Sequence, residues 1–224
     1  MNEKSIGVFG LGNRSTLFYI DELNKRFNSL FRGYSTCPFI LYNTNFENIN
    51  PYLPNDFNKL EPILLHYLKK IKELGVNFLL VPNITLHEAL DRINTELDIA
   101  HPIQLTIDKL KESKQAEAVI FGSLYSMQSN YLKEAFLKRN ILLIEPRKEH
   151  KKFIDYIRNQ IYFEQESKKD LEEYRHLLLL YSKDHPVVIG CTELSIYGSQ
   201  TLNNIYDMAS FQIEKTLTLV KKIT

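Results

Sequence analysis

Pro186-Val187-Val188-Ile189-Gly190-Cys191-Thr192-Glu193-Leu194 is the stretch on which the fold of this chain turns. A short apolar run rich in β-branched residues and closed by Gly190 reads as a buried strand of a parallel sheet. The run then delivers a single thiol to its carboxyl end, the edge at which open α/β sheets bind ligands. An isolated Cys at such an edge has two readings: a small buried hydrophobe, or a reactive group beside a hydroxyl and a carboxylate. A second loop bears on that choice. Val81-Pro82-Asn83-Ile84-Thr85-Leu86-His87 follows the apolar run Phe78-Leu79-Leu80, and Asn83 takes the place relative to its strand that Cys191 takes relative to the other. Matched strand ends point to an internal repeat, two pseudo-symmetric lobes facing each other across a cleft.

Away from these loops, short apolar runs alternate with longer amphipathic segments, the pattern of an α/β fold with mainly parallel sheets flanked by helices. Strands are expected at Ser5-Phe9, Phe39-Leu41, Asn77-Val81, Ala118-Phe121, Ile141-Ile144 and Val187-Ile189. Helical spacing of apolar residues marks Ser15-Phe31, Phe57-Leu74, Leu86-Ile93, Met127-Lys138, Lys148-Phe163 and Lys169-Tyr181, with a last helix from about Ser199 to Lys222. With Pro102 as the only punctuation between the halves, residues 1–105 with about 199–224 are expected to form the first lobe and 106–198 the second.

Composition narrows the function classes. Lys and Arg total 28 against 27 Asp and Glu, a net charge of +1, so there is no electrostatic footprint for nucleic acid or an anionic membrane. No apolar segment is long enough to span a bilayer. Cys37 and Cys191 give no disulfide framework, and no secretory leader is recognisable, which makes the cytoplasm the expected location. The six histidines show no metal-ligand spacing, so no metal site is expected. No cofactor is implied, since the glycine loop lacks the spacing and acidic partner of a dinucleotide fingerprint.

Taken together, the loops resemble those of the aspartate/glutamate racemase family of cofactor-independent amino-acid racemases. Ile6-Gly7-Val8-Phe9-Gly10-Leu11-Gly12-Asn13-Arg14-Ser15-Thr16 is similar to the family's opening glycine loop and Ser/Thr-capped helix. Leu41-Tyr42-Asn43-Thr44-Asn45 resembles its second strand and Asn-containing loop, and Phe121-Gly122-Ser123-Leu124-Tyr125-Ser126-Met127 the loop opening its second lobe. Gly190-Cys191-Thr192-Glu193 matches the second cysteine motif residue for residue. The resemblance implies two cysteines on opposite faces of the substrate's α-carbon, one removing a proton and the other returning one; inversion needs an acid and a base so placed. It also implies a homodimer and a small carboxylate or amino-acid substrate.

The family's first motif reads Cys-Asn-Thr with a His two residues on, whereas this chain has Asn83-Ile84-Thr85-Leu86-His87. A carboxamide cannot serve as an acid or base near neutrality, though it donates and accepts hydrogen bonds. The expected catalytic set is therefore Cys191 as thiolate base, Asn83 at the position of the lost second base, and His87, which titrates in a useful range. Expected substrate contacts are Arg14, Asn43, Thr85, Ser123, Ser126, Thr192, Glu193 and Lys168. Lys168 is adjacent to Ser167, which holds the place of the family's substrate-reaching Lys. The expected function is racemase- or epimerase-like removal of the α-proton of a small acidic amino acid or related carboxylate, impaired or directional because of Asn83. A one-base lyase, decarboxylase or isomerase of the same superfamily is the first alternative. A non-catalytic carboxylate-binding protein is the second.

Overall fold

A computed structural model of the chain describes residues 5–198 and 202–221. The chain divides into two compact units, one of residues up to His101 together with those from Gln212, the other of Pro102–Phe211. In the first unit β1 (Ile6–Gly10), α1 (Asn13–Phe31), β2 (Ile40–Asn43), α2 (Phe57–Glu73), β3 (Phe78–Leu80), α3 (His87–Leu90) and β4 (Asp98–Ile99) follow in order. The second contains α4 (Pro102–Glu112), β5 (Glu117–Phe121), α5 (Leu124–Gln128), α6 (Asn130–Leu137), β6 (Leu142–Ile144), α7 (Lys148–Tyr162), α8 (Lys168–Ser182), β7 (Val187–Ile189), α9 (Thr192–Ile196) and β8 (Ile205–Asp207). A last helix, α10 (Met208–Val220), runs across the division of the chain.

Each unit holds one four-stranded sheet, ordered β2-β1-β3-β4 in the first and β6-β5-β7-β8 in the second, with every pairing parallel. The two orders are the same walk through the sheet. The strands β1, β3 and β7 are buried along their whole length, as parallel strands covered on both faces must be. Around the first sheet, Leu60, Leu64, Leu68 and Ile71 of α2 form an i, i+4, i+8, i+11 stripe that packs with Phe9, Leu79 and Val81.

Four segments depart from the sequence expectation. The C-terminal helix begins at Met208, because Ile205–Asp207 pairs in register with Val187–Ile189 as β8; strand pairing there overrides the helical periodicity. The expected helix limits Ser199 and Lys222 lie outside the described residues. Pro102 stands at the division between the two units and also opens α4, a helix the spacing did not mark; proline at a first helical position needs no N–H and has its φ already set. The segment Met127-Lys138 forms the end of α5 and α6, parted by Ser129, whose extended backbone and side chain cap α6 through Leu132 N–H at 3.3 Å. β4 is two residues long, too short to show periodicity.

A buried side chain helps to hold α10 in the first unit. Gln212 is fully buried, accepts the Tyr19 hydroxyl of α1, and donates through Nε2 to Ala100 O at 2.6 Å. Gln212→Ala removes both hydrogen bonds and takes the Nε2 donor from the buried Ala100 carbonyl, at about 1–3 kcal/mol. Urea titration should find the variant less stable by that amount.

Candidate active site

In the first unit, the carboxyl ends of β1, β2 and β3 are neighbours in the sheet. The β1–α1 loop is fixed from inside α1: Thr16 Oγ1 accepts Leu11 N–H at 3.0 Å and Ser15 Oγ donates to Gly12 O at 3.1 Å. The helix cap itself is Gly12, with no side-chain cap, so Ser15 and Thr16 tie the loop back from the first turn instead of capping it. Gly10 lies close against β2, where a Cβ would come 2.4 Å from Asn43 Oδ1 and 3.2 Å from Asn43 Cα. Arg14 is half-buried in the first turn of α1, and Asn43 is exposed at the end of β2.

The β3 loop is held by Asn83 from three sides. Its N–H donates to Val81 O at 2.7 Å, its carbonyl accepts from His87 Nδ1 at 2.9 Å, and its Oδ1 accepts Leu86 N–H at 3.0 Å. A carbonyl only accepts, so Nδ1 carries the imidazole proton and Nε2 is left bare; it is buried with no hydrogen-bond partner. His87 is fully buried, its ring centroid 5.1 Å from that of His101. Burial, aided by the His101 charge, pushes it down to about 3. The structure thus has His87 neutral at physiological pH and bracing the Asn83 loop. Thr85 is half-buried beside it.

In the second unit the β5 and β7 loops touch. Gly190 N–H donates to Phe121 O at 2.8 Å, and a Cβ on Gly122 would come within 3.0 Å of Ser126 Cβ and 3.3 Å of Gly190 O. Ser123 caps α5 by accepting Ser126 N–H at 3.1 Å, and the two hydroxyls lie 2.9 Å apart. Both expected serines therefore serve this turn. Cys191, half-buried, is the N-cap residue of α9. The helix behind it is anchored twice: Ser195 Oγ donates to Asp207 at 2.8 Å, and the buried Tyr174 hydroxyl to Leu194 O at 3.3 Å.

Cys191 Sγ donates to Glu193 Oε2 at 2.9 Å. Burial, then the Glu193 charge, push the thiol well above its usual range, against the opposing charge of Arg158 and a hydrogen bond from the Glu193 amide. Both leading influences favour the thiol over the thiolate, and its hydrogen points at the Glu193 carboxylate. Beside it, Thr192 Oγ1 is buried without a hydrogen-bond partner.

The structure brings Cys191, Thr192 and Glu193 into one turn and Asn83, Thr85 and His87 into another. Lys168 stays apart: it is exposed in the first turn of α8, where Ser167 forms a reciprocal capping box with Asp170. Arg158 was not foreseen. It lies on α7, which packs on α9, and its Nε donates to Asp155 Oδ1 at 3.1 Å. The same Asp155 oxygen accepts Leu124 N–H, also at 3.1 Å, at the start of α5. Nothing local distinguishes Arg158 from other charges of an amphipathic helix; only packing gives it its place.

No family model matches the chain, and no curated protein matches it in sequence. Solved structures do match. An aspartate racemase homologue from Pyrococcus horikoshii OT3 superposes with a TM-score of 0.79 at 18% identity, over 97% of this chain and 99% of that one. The Picrophilus torridus aspartate racemase gives 0.77 at 16% identity, over 98% and 94%. The chain has the aspartate/glutamate racemase fold. A glutamate racemase from Francisella tularensis, solved with D-glutamate, shares that fold more distantly, with a TM-score of 0.63 at 12% identity over 100% of this chain and 83% of that one. Among the described residues of this racemase-fold chain, no helix is long and apolar enough to cross a membrane. Nor, among them, is any group of three or more His, Cys, Asp or Glu placed to hold a metal ion.

Two predictions follow from the electrostatics. Glu193→Gln keeps an acceptor beside the thiol and removes its charge, so the pH profile of Cys191 alkylation by iodoacetamide should move to lower pH. For His87, the folded value lies below the ordinary one of about 6.5, so the unfolded chain binds more protons between them. Its contribution to stability is present above about pH 6.5 and is lost as pH falls toward 3. Stability measured by denaturation between pH 7 and 4 should fall less steeply in His87→Gln than in the wild type.

Proposed function

We propose that this protein is a cofactor-independent enzyme of the racemase type, which moves a proton at the α-carbon of a small acidic amino acid or related carboxylate through Cys191. The observation that carries the reading is the Cys191–Glu193 contact at the carboxyl end of β7. Glu193 takes the thiol proton, and the thiolate then removes the proton from carbon. The Glu193 amide, which donates to the sulfur, stabilises the thiolate so formed. Thr192 Oγ1, buried and unpaired, supplies a hydrogen bond to a substrate oxygen. The fold shared with aspartate and glutamate racemases supports this choice of substrate class.

A second reading rests on the protonation state of the same sulfur. A thiol held protonated at rest is an acid, and it suits delivery of a proton to a carbanion left by loss of carbon dioxide. That reaction yields a product one carboxyl group shorter.

Solvent exchange at the α-carbon separates the readings. In deuterated water, NMR should show loss of the α-proton signal of L- or D-aspartate or glutamate with the wild type. Cys191→Ala should slow the exchange by about 10²–10⁴-fold, the usual weight of a general acid–base group. Exchange that survives in Cys191→Ala would overturn the assignment, and loss of carbon dioxide without exchange would establish the second reading.

A further inference from the structure

Asp155 of α7 makes two contacts through one oxygen, and both lead to the Cys191 turn. Its Oδ1 accepts Leu124 N–H at 3.1 Å, at the start of α5, and Arg158 Nε at 3.1 Å, one helical turn along α7. An acidic and a basic residue three apart on an exposed helix face contribute little. This pair differs: the Asp155 and Arg158 side chains are only 19% and 23% exposed, and the oxygen they share also accepts a backbone amide from another element. Arg158 is held a second time, its Nη2 donating to Asn159 Oδ1 at 2.8 Å. The amide that Asp155 accepts follows Ser123, whose hydroxyl accepts Ser126 N–H, so carboxylate and serine together fasten the first turn of α5. The Gly122-Ser123 loop so fastened is the one against which the Cys191 loop packs, a Cβ on Gly122 falling 3.3 Å from Gly190 O. α7 also packs directly on α9, the helix that Cys191 caps. Every group in this chain of contacts belongs to the second unit.

We propose that Asp155 is a positioning residue for Cys191, which fixes the β5–α5 loop beside the thiol loop and holds the Arg158 guanidinium in place. The inference takes Cys191 as the reacting group from the α-carbon reading above and adds to that reading the means by which its acidity is set. The charged and titratable groups about the sulfur are Glu193 on α9 itself, Arg158 from α7, Tyr174 from α8 and, beyond Ser195, Asp207 of β8. Among these Arg158 is the cation, and its charge opposes burial and Glu193. The attraction of a cation for a thiolate falls with distance, so a guanidinium on a long stem serves only where its place is fixed. Asp155 does the fixing.

The sign of one shift separates this role from two others. Asp155→Asn keeps an oxygen for Leu124 N–H and removes the charge that pairs with Arg158. Iodoacetamide alkylation is followed on the Cys191 peptide by mass spectrometry across pH, with thermal unfolding alongside. Where Asp155 acts through Arg158, the released guanidinium turns to solvent and the profile moves to higher pH. Alkylation at a fixed pH on the rising limb should then be about threefold or more slower. A charge acting directly on sulfur gives the opposite sign, since loss of a carboxylate eases ionisation. A role in stability alone lowers the melting temperature and leaves the profile in place. Either of these two results overturns the proposal. Arg158→Gln spares the Asp155–Leu124 contact and should give the same upward shift, to which Asp155→Asn adds nothing in the double variant. An additive shift, or no upward shift in Arg158→Gln, overturns the proposal, and the latter holds even where Asp155→Asn does not fold. Alkylation needs no substrate. Upward shifts in both variants, with a wild type that exchanges no α-proton, leave Asp155 as the holder of Arg158 and overturn the α-carbon reading alone.

Discussion

The hydrogen bond from Gly190 N–H to Phe121 O closes the last rung between β7 and β5, and the placement of the reactive sulfur depends on it. Beyond this rung the two strand ends part, and the Cys191 loop leaves the sheet against the Gly122 loop. The approach is so close that neither glycine has room for an ordinary side chain: Gly122 faces Gly190 O, and Gly190 faces Ile120. A side chain on Gly122 would press on the Cys191 loop through Gly190 O, whereas one on Gly190 would meet the end of the Ile120 side chain. α9 cannot follow freely, because Asp207 and Tyr174 hold it from β8 and α8. The thiol is therefore positioned by backbone pairing on one side and buried polar anchors on the other, which is how a fold holds a reacting atom to the tolerance that proximity catalysis requires.

Around that sulfur opposing influences meet, and those that favour the thiol prevail. Burial and Glu193 favour the thiol, while Arg158 and the Glu193 amide favour the anion. Arg158 is itself tied to Asp155, which also receives the first amide of α5. The β5 loop and the charge acting on the thiol therefore share one carboxylate. A ligand carboxylate arriving near Thr192 would add a further charge to this set. The thiol's acidity is a property of the loaded site as much as of the resting one.

Much of this was legible in the residues, and the boundary of legibility is physical. The strand ahead of Cys191 was plain because a β-branched run stopped by glycine has few other readings. The long helices followed from 3.6-residue spacing, as in the Leu60–Ile71 stripe. β8 was not legible, since a three-residue strand is defined by its partner and its own pattern passes for helix. Pro102 does mark the division of the chain, but the helix it opens was not legible, because proline both separates elements and opens helices, and the buried face of Ile103, Thr106, Ile107 and Leu110 is what shows the helix. Within the candidate site, motif spacing located Cys191, Thr192 and Glu193. The direction in which Glu193 acts on the thiol, and the presence of Arg158, are facts of packing between α7 and α9 that no local pattern encodes.

Two sheets with the same strand order have thus kept their backbone plan while the chemistry at their corresponding strand ends has diverged. After β7 stands a titratable thiol with a carboxylate at 2.9 Å. After β3 stands an amide whose oxygen is consumed in holding its own loop. The asparagine gives its loop a cap that a sulfur, only a weak acceptor, would make poorly. The buried, neutral His87 follows the same logic. With its Nδ1 proton committed to the Asn83 carbonyl and its conjugate acid suppressed by burial, it contributes shape and direction near pH 7, and no charge. The two strand ends thus differ in kind: after β7 a thiol lies against a carboxylate, and after β3 a carboxamide and a neutral imidazole hold their own loop.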